Sequence, residues 1–262
     1  MLLIALAVVV AVAGLAKPGI SQTAVDPTGF AVVELFTSQG CSSCPPADRL
    51  LTQLDELASE QNLPIFTLSM HVDYWNRLGW TDPYSSRQFT QRQHAYADAA
   101  NSRSVYTPQM VVNGEAEFVG SDSAKAKRAI IKALKRPSVA KVELTAQAAA
   151  ESRAVNVQYQ VTGAAPGTEL VICLVADPSP NEVPRGENAG RRLEHHAVVH
   201  SLQAAAIKAN DRGAIAIALP NSIRGAKGVE IVALVQDKAT RRIDGAGKAT
   251  VTQRLSSRPA PL

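Results

Sequence analysis

Concentrated charge is what this chain lacks most. Its 27 Lys and Arg against 23 Asp and Glu leave a net charge of only +4, and basic residues never run beyond pairs such as Arg191-Arg192 and Arg241-Arg242. Aromatic residues make up 5% of the chain, and no basic stripe is interleaved with them. That combination argues against a nucleic-acid partner and leaves weak, non-specific attraction to anions. The long apolar run needed to cross a bilayer is also missing. Leu2 to Ala16 is uncharged and apolar, but a spanning helix needs roughly 20 residues. No Lys or Arg precedes the run, and no cysteine follows it closely enough for a lipid anchor.

The run suits the apolar core of a signal peptide, with Gly14-Leu15-Ala16 supplying small residues for cleavage after Ala16, or alternatively after Ala13. A signal peptide over residues 1–16 implies an exported protein, periplasmic or secreted, with no stable membrane insertion after cleavage; the alternative is an uncleaved anchor. Only three cysteines are present, Cys41, Cys44 and Cys173. Export places them in an oxidising compartment, and the first two form a Cys-x-x-Cys pair.

Residues 17–28, rich in Pro, Gly, Ser and Thr, read as a linker. Phe30 to Phe36 is apolar and β-branched, as a strand would be. After Pro45-Pro46, Leu50, Leu51, Leu54 and Leu57 recur at helical spacing. Pro64 to Met70 is a second strand, Asp82-Pro83 opens a second helix, and Met110 to Val112 is a third strand. Asn113-Gly114 signals a hairpin to a strand at Ala116 to Val119, and Ser121-Asp122 caps a last helix. The order β-α-β-α-β-β-α predicts a thioredoxin-like α/β domain over residues 29–137. Beyond Pro137, strand-like runs recur without helical periodicity, which predicts an all-β, sandwich-like domain over residues 138–255. Residues 256–262 read as a disordered tail.

Cys41 and Cys44 lie between the first strand and the first helix. Unpaired N–H groups and a partial positive charge at a helix start stabilise a thiolate. Cys41 is therefore expected to be the exposed nucleophile and Cys44 the resolving thiol. Pro45 and Pro46 cannot donate, so they belong in the first helical turn, and the dipole acts on Cys41 from slightly outside. Thr107-Pro108 precedes the third strand, where thioredoxin-like proteins set a cis-proline opposite the cysteine pair. Glu34, inside the first strand, is either a buried acid exchanging protons with the resolving thiol or a structural carboxylate paired with an arginine. Both tryptophans, Trp75 and Trp80, fall in the loop after the second strand, where they either cover the thiols and grip a substrate or pack internally. His71, which opens that loop, is a candidate third metal ligand beside Cys41 and Cys44, since thiolates with imidazole suit copper or zinc. Cys173, within an apolar strand, reads as a buried small hydrophobe. His196 and His200 share a strand face, a spacing compatible with metal but commoner for solvent-facing polar residues.

The segment Val33 to Asp48 resembles the signature of the domain of unknown function 1223 family. So do His71-Val72-Asp73-Tyr74-Trp75, Gly79-Trp80, Tyr106-Thr107-Pro108-Gln109-Met110 and Arg185-Gly186-Glu187-Asn188-Ala189-Gly190-Arg191. The resemblance implies a secreted, bacterial, thioredoxin-like protein, adds Tyr106 to the candidate substrate contacts, and singles out residues 185–191, which would dock against the first domain. The leading expectation is an extracytoplasmic thiol–disulfide oxidoreductase that needs no cofactor and acts on a protein or small thiol or disulfide. The alternatives are a copper or zinc binder using Cys41, Cys44 and His71, and a non-catalytic binding module.

Overall fold

The computed structural model describes residues 28–149 and 152–252. The expected signal peptide, all of the linker but Thr28, and the tail lie outside these residues. Among the described residues no helix is long and apolar enough to cross a membrane.

The first half runs β1 (Ala31–Thr37), α1 (Pro45–Glu60), β2 (Ile65–His71), α2 (Arg87–Ala99), β3 (Gln109–Val112), β4 (Ala116–Val119) and α3 (Ser123–Leu134). The second runs β5 (Lys141–Ala148), β6 (Ala154–Thr162), β7 (Thr168–Asp177), β8 (Asn181–Val183), β9 (Arg191–Leu193), β10 (Val198–Ala206), β11 (Asn210–Ala218), β12 (Lys227–Asp237) and β13 (Ile243–Thr250).

Local chemistry accounts for the boundaries. Pro45 and Pro46 occupy the first positions of α1, where no intrahelical N–H is required. Ser86 caps α2 by accepting from the Gln88 N–H, and Asp122 caps α3 by accepting from that of Lys125, each satisfying a donor that the helix cannot. Asn113 and Gly114 take φ of 50° and 69°, the left-handed pair of a tight hairpin turn. A side chain at Gly114 would also meet the Arg241 carbonyl oxygen, 2.0 Å from an ideal Cβ.

The sheet topology overturns the expectation of a thioredoxin-like α/β domain followed by a separate sandwich. The protein is mostly β, built on one mixed eight-stranded sheet ordered β13-β12-β7-β10-β2-β1-β3-β4. Strand β10 enters parallel to β2, with Val198 opposite Ser69, and the Ser69 N–H donates to the Ala197 carbonyl at 2.8 Å. Among the described residues, β5, β6 and β11 form a separate three-stranded sheet, and β8 pairs with β9. The physical reason lies in β7. Its residues Leu170 to Ala176 are all buried, so it needs a strand on each edge and a covering layer on each face.

Alternation divides this sheet's side chains between two faces. One face packs Val32, Phe36, Leu68, Met70, Val171, Cys173, Val175 and Val232 together with Phe89 and Tyr96 of α2. The other is covered in two parts. Helices α1 and α3 bury Val33, Leu35, Met110 and Val112, while the three-stranded sheet buries Ile172, Leu174, Ile231 and Ala233.

A buried polar network ties the halves together on the α2 side. Arg92 Nε donates to Glu34 Oε1 at 2.6 Å, its Nη1 to Gln236 of β12 at 2.9 Å, and its Nη2 to the Tyr96 hydroxyl at 2.8 Å. Tyr96 in turn donates to Glu34. Cys173 lies nearby on β7, where burial pushes its thiol up to about 12, so it stays protonated. Removing the guanidinium would leave the Glu34 carboxylate buried and unpaired. Arg92→Leu should therefore lower stability by about 3–5 kcal/mol, with Arg92→Leu/Glu34→Gln recovering part of the loss. Urea unfolding checks both variants, and a single-variant loss below about 1 kcal/mol would show that the network is not a structural tie.

Candidate active site

Cys41 and Cys44 occupy the loop between β1 and α1 and are joined by a disulfide, with Cα atoms 5.4 Å apart. Both are wholly buried, whereas Ser42 and Ser43 are exposed. The expected exposure of Cys41 is therefore not seen in the disulfide form. Cys44 directly precedes α1, and its carbonyl accepts from the Ala47 and Asp48 N–H groups at 2.8 and 3.1 Å. With Pro45 and Pro46 lacking N–H groups, the first turn gives a Cys41 thiolate little beyond the field of the helix dipole. The Ser43 hydroxyl, 3.3 Å from Cys41 Sγ, is the nearest polar partner.

The disulfide loop is strapped down by residues from the second half. Glu187 Oε2 accepts from the Ser42 N–H at 2.9 Å and from its hydroxyl at 2.7 Å, and these bonds hold the Glu187 carboxyl below its ordinary value. Asn188, buried, donates its side-chain amide to the carbonyls of Gln39 and Cys41, both at 2.9 Å. Arg191 steadies Asn188 through its Oδ1 at 2.8 Å. Asn181 and Gln39 exchange hydrogen bonds between their side-chain amides, and Trp80 Nε1 donates to Gln39 Oε1 at 3.1 Å. Residues 185–191 are thus docked on the cysteine loop.

The other aromatic candidates fall beside the same loop. The Trp75 Cβ lies 3.3 Å from where a Gly40 Cβ would stand, and Trp75 Nε1 donates to the Thr107 hydroxyl at 2.7 Å. The Thr107-Pro108 peptide is cis. Tyr106 points elsewhere: its hydroxyl donates to Glu117 at 2.6 Å. Glu34 is on the opposite side of β1 from α1, since its neighbours Val33 and Leu35 are the residues that pack with Ala47 and Leu51. It is the arginine-paired structural carboxylate, held by Arg92.

The acid on the cysteine side is Asp48, which sequence reasoning passed over. It sits one helical turn beyond Cys44, so the two share a helix face. It is 8% exposed, and its Oδ1 accepts from the Thr37 hydroxyl at 2.8 Å. Burial raises its carboxyl from 3.8 to about 6, against the opposing pull of His71 and Thr37. Its position was the available signal: an acid at i+4 from the second cysteine, inside an otherwise apolar helix start.

Asp48 borders a buried group of imidazoles between α1, β2 and β10. His71 Nδ1 lies 2.7 Å from Asp82 Oδ2. Burial opposes charge on His71, but Asp82's charge and hydrogen bond outweigh it and hold the imidazole above its ordinary value. Asp82 is lowered in turn: the His71 charge and hydrogen bonds, including those from the Gln39 and Tyr84 N–H groups, overcome its burial. His195 stacks edge-on to His71, ring centres 4.6 Å apart. Burial, then His71's charge, pushes His195 down to about 3, and burial pushes His200 down to about 4. Among the described residues neither ring nitrogen of His195 has a hydrogen-bond partner, nor has His71 Nε2. His196 is apart from them, 3.5 Å from Asp177. Among the described residues no three His, Cys, Asp or Glu are grouped as a metal would require.

The family model described as a protein of unknown function, DUF1223, matches residues 32–236. The chain belongs to this family. A crystal structure of an Agrobacterium tumefaciens protein is similar over 88% of this chain and 97% of its own, at 27% identity and a TM-score of 0.61. The likeness therefore extends across both halves of the sheet. A Pseudomonas fluorescens alkylpurine DNA glycosylase aligns with 49% of this chain and 38% of its own at 13% identity, with a TM-score of 0.18, too low to indicate a shared fold. No curated protein matches the chain.

Glu187 supplies both hydrogen bonds that hold Ser42. Asn188 holds the Gln39 and Cys41 carbonyls as well, so Glu187→Ala/Asn188→Ala should let the strap lift, and reduction of the disulfide by dithiothreitol should speed up several-fold. Alkylation at timed intervals followed by mass spectrometry checks this, and an unchanged rate would mean that the strap does not limit access.

Proposed function

We propose that the protein is an extracytoplasmic thiol–disulfide oxidoreductase, periplasmic or secreted, acting through Cys41 and Cys44 on a protein or small thiol or disulfide. The observation that carries this is the Cys41–Cys44 disulfide at the start of α1 with a buried acid, Asp48, one turn beyond it.

In the reducing direction, the Cys41 thiolate attacks one sulfur of a substrate disulfide. A bond forms between Cys41 Sγ and that sulfur, and the other substrate sulfur departs as a thiolate that takes up a proton. Cys44 then loses its proton and attacks Cys41 Sγ, re-forming the internal disulfide and releasing the second substrate thiol. The two electrons pass from one sulfur pair to the other, so the exchange balances without a cofactor. In this reading Asp48, one turn beyond Cys44 and with its carboxyl raised by burial, serves as the base that accepts the Cys44 proton. Trp75 and Trp80 border the loop on which the substrate would sit.

Cys41→Ser should abolish reduction of the neutral disulfide bis(2-hydroxyethyl) disulfide, while Cys44→Ser should accumulate a mixed disulfide on Cys41, visible by mass spectrometry. Exchange that persists in Cys41→Ser, or that wild type lacks altogether, would sink the proposal.

Asp48 adds a test of opposite sign on stability. The folded carboxyl titrates at about 6 and the unfolded one near its ordinary 3.8. Between these values the folded state holds the extra proton, so this group's contribution falls as pH rises from about 4 to 6. Asp48→Asn should raise stability at pH 7 by about 1–3 kcal/mol, flatten that part of the profile, and slow resolution of the mixed disulfide. Denaturant melts across pH and single-turnover kinetics check the two halves; loss of stability together with unchanged kinetics would remove Asp48 from the mechanism.

A further inference from the structure

A cleft of about 360 Å³ runs along α1 from Pro45, the residue after Cys44, and its far wall is the segment from Arg191 to His196. The volume is at the small end of those that hold small molecules. Three arginines line it, Arg49 from the helix and Arg191 and Arg192 from the facing segment, which also contributes the acid Glu194. Arg49 makes no ion pair among the described residues, and the nearest acid to Arg192 is Glu182, at 3.9 Å across an exposed contact. Asp48 and His195 also line the cleft. His195 is 3% exposed and has, among the described residues, a partner for neither ring nitrogen, a state that costs free energy unless something else supplies the hydrogen bond. Asp48 Oδ2 is 3.9 Å from its Nδ1, too far to serve.

We propose that this cleft is a binding site for small thiols and disulfides bearing carboxylates, held through Arg49 and Arg192 with the His195 imidazole as a buried hydrogen-bond partner. Arginine suits the task because its planar fork matches a carboxylate. The acids that line the cleft, Asp48 and Glu194, are outnumbered by its three arginines, and the Asp48 carboxyl, raised by burial, takes up a proton more readily than an ordinary one. Arg191 is already committed to Asn188, which holds the Cys41 carbonyl, so a ligand drawn to this rim also touches the residue that anchors the strap. The inference rests on the oxidoreductase reading for the fate of the ligand, but not for its binding. In that reading the reduced pair gives two electrons and two protons to one anionic disulfide, producing two molecules of its thiol and the Cys41–Cys44 bridge.

Binding is measured first on the oxidised protein, where no thiol of the pair is available and no exchange can occur. Three disulfides of similar size separate charge from fit: dithiodiglycolate, which is dianionic; bis(2-hydroxyethyl) disulfide, which is neutral; and cystamine, which is dicationic. Calorimetry should show binding of dithiodiglycolate but not of cystamine, weakened by added salt and by about tenfold in Arg49→Gln/Arg192→Gln. His195→Gln, which keeps a polar group, should weaken it less than His195→Leu. Reduced wild-type protein should consume the three disulfides in the order anionic, neutral, cationic. Absence of dithiodiglycolate binding, or equal binding by the double arginine variant, overturns the site even if exchange with the neutral disulfide proceeds. Binding with the predicted charge dependence but no exchange keeps the site and discards the oxidoreductase reading.

Discussion

Strand β10 meets β2 through one paired position, Val198 opposite Ser69, reinforced by the Ser69 N–H on the Ala197 carbonyl. Main-chain bonding this sparse is weak glue for an eight-stranded sheet, and the protein supplements it from both sides. On the α2 side Arg92 joins Glu34 of β1 to Gln236 of β12. At the hairpin, the carbonyl of Asn113 accepts from the Ile243 N–H, while the side chain of Asn113 is bonded to the Val32 N–H and the Phe30 carbonyl. On the α1 side, Glu187 and Asn188 hold the cysteine loop. Each tie is polar and draws one partner from each half, so the two halves cannot slide without exposing or orphaning a buried group.

The same seam explains where the buried imidazoles lie. On the α1 side, the helices cover one end of the sheet and the three-stranded sheet covers the other. Between these covers the sheet presents His71 and His200 from the two strands that meet there, with His195 just ahead of β10. Apolar packing would fill such a gap at lower free energy, since unpartnered buried imidazoles and a carboxyl forced up to about 6 are both destabilising. Groups held in this way concentrate where they must be poised for a ligand or a proton.

Local elements were legible in the sequence because local rules govern them. Prolines at the start of α1, the Asn113-Gly114 turn, and the apolar runs of β1 and β7 each announce themselves. The cysteine pair and the two tryptophans were likewise visible and do come together. What escaped was anything decided by long-range pairing. Nothing local in Val198 to Ala206 says that its neighbour will be β2 rather than another strand of a sandwich. Strand β13 is hidden by its small residues: a Cβ at Gly245 would stand 2.3 Å from the Ala140 carbonyl oxygen, so its glycines answer to a close backbone approach rather than to a turn. Glu34 was the conspicuous acid because a carboxylate within an apolar strand stands out, yet strand alternation turns it away from α1. Asp48, at a helix start where acids are common, carries no such flag, and His195 becomes meaningful only once β10 has joined β2.

Under the proposed function, the details of the cysteine loop bear on the direction in which electrons run. A Cys-x-x-Cys site becomes strongly oxidising when its thiolate is well stabilised, because that favours the reduced form. Here Pro45 and Pro46 remove two donors from the first helical turn, and the next two N–H groups are engaged by the Cys44 carbonyl. The Ser42 N–H, another donor in the loop, is taken by Glu187, whose charge disfavours a thiolate close by. What remains for Cys41 is the helix dipole and the Ser43 hydroxyl. The thiolate is thus held by few groups, and lifting the strap would both uncover the sulfurs and remove a negative charge from beside the loop. Access and reactivity would then change together, once the Glu187 carboxylate and the Asn188 amide both release the loop.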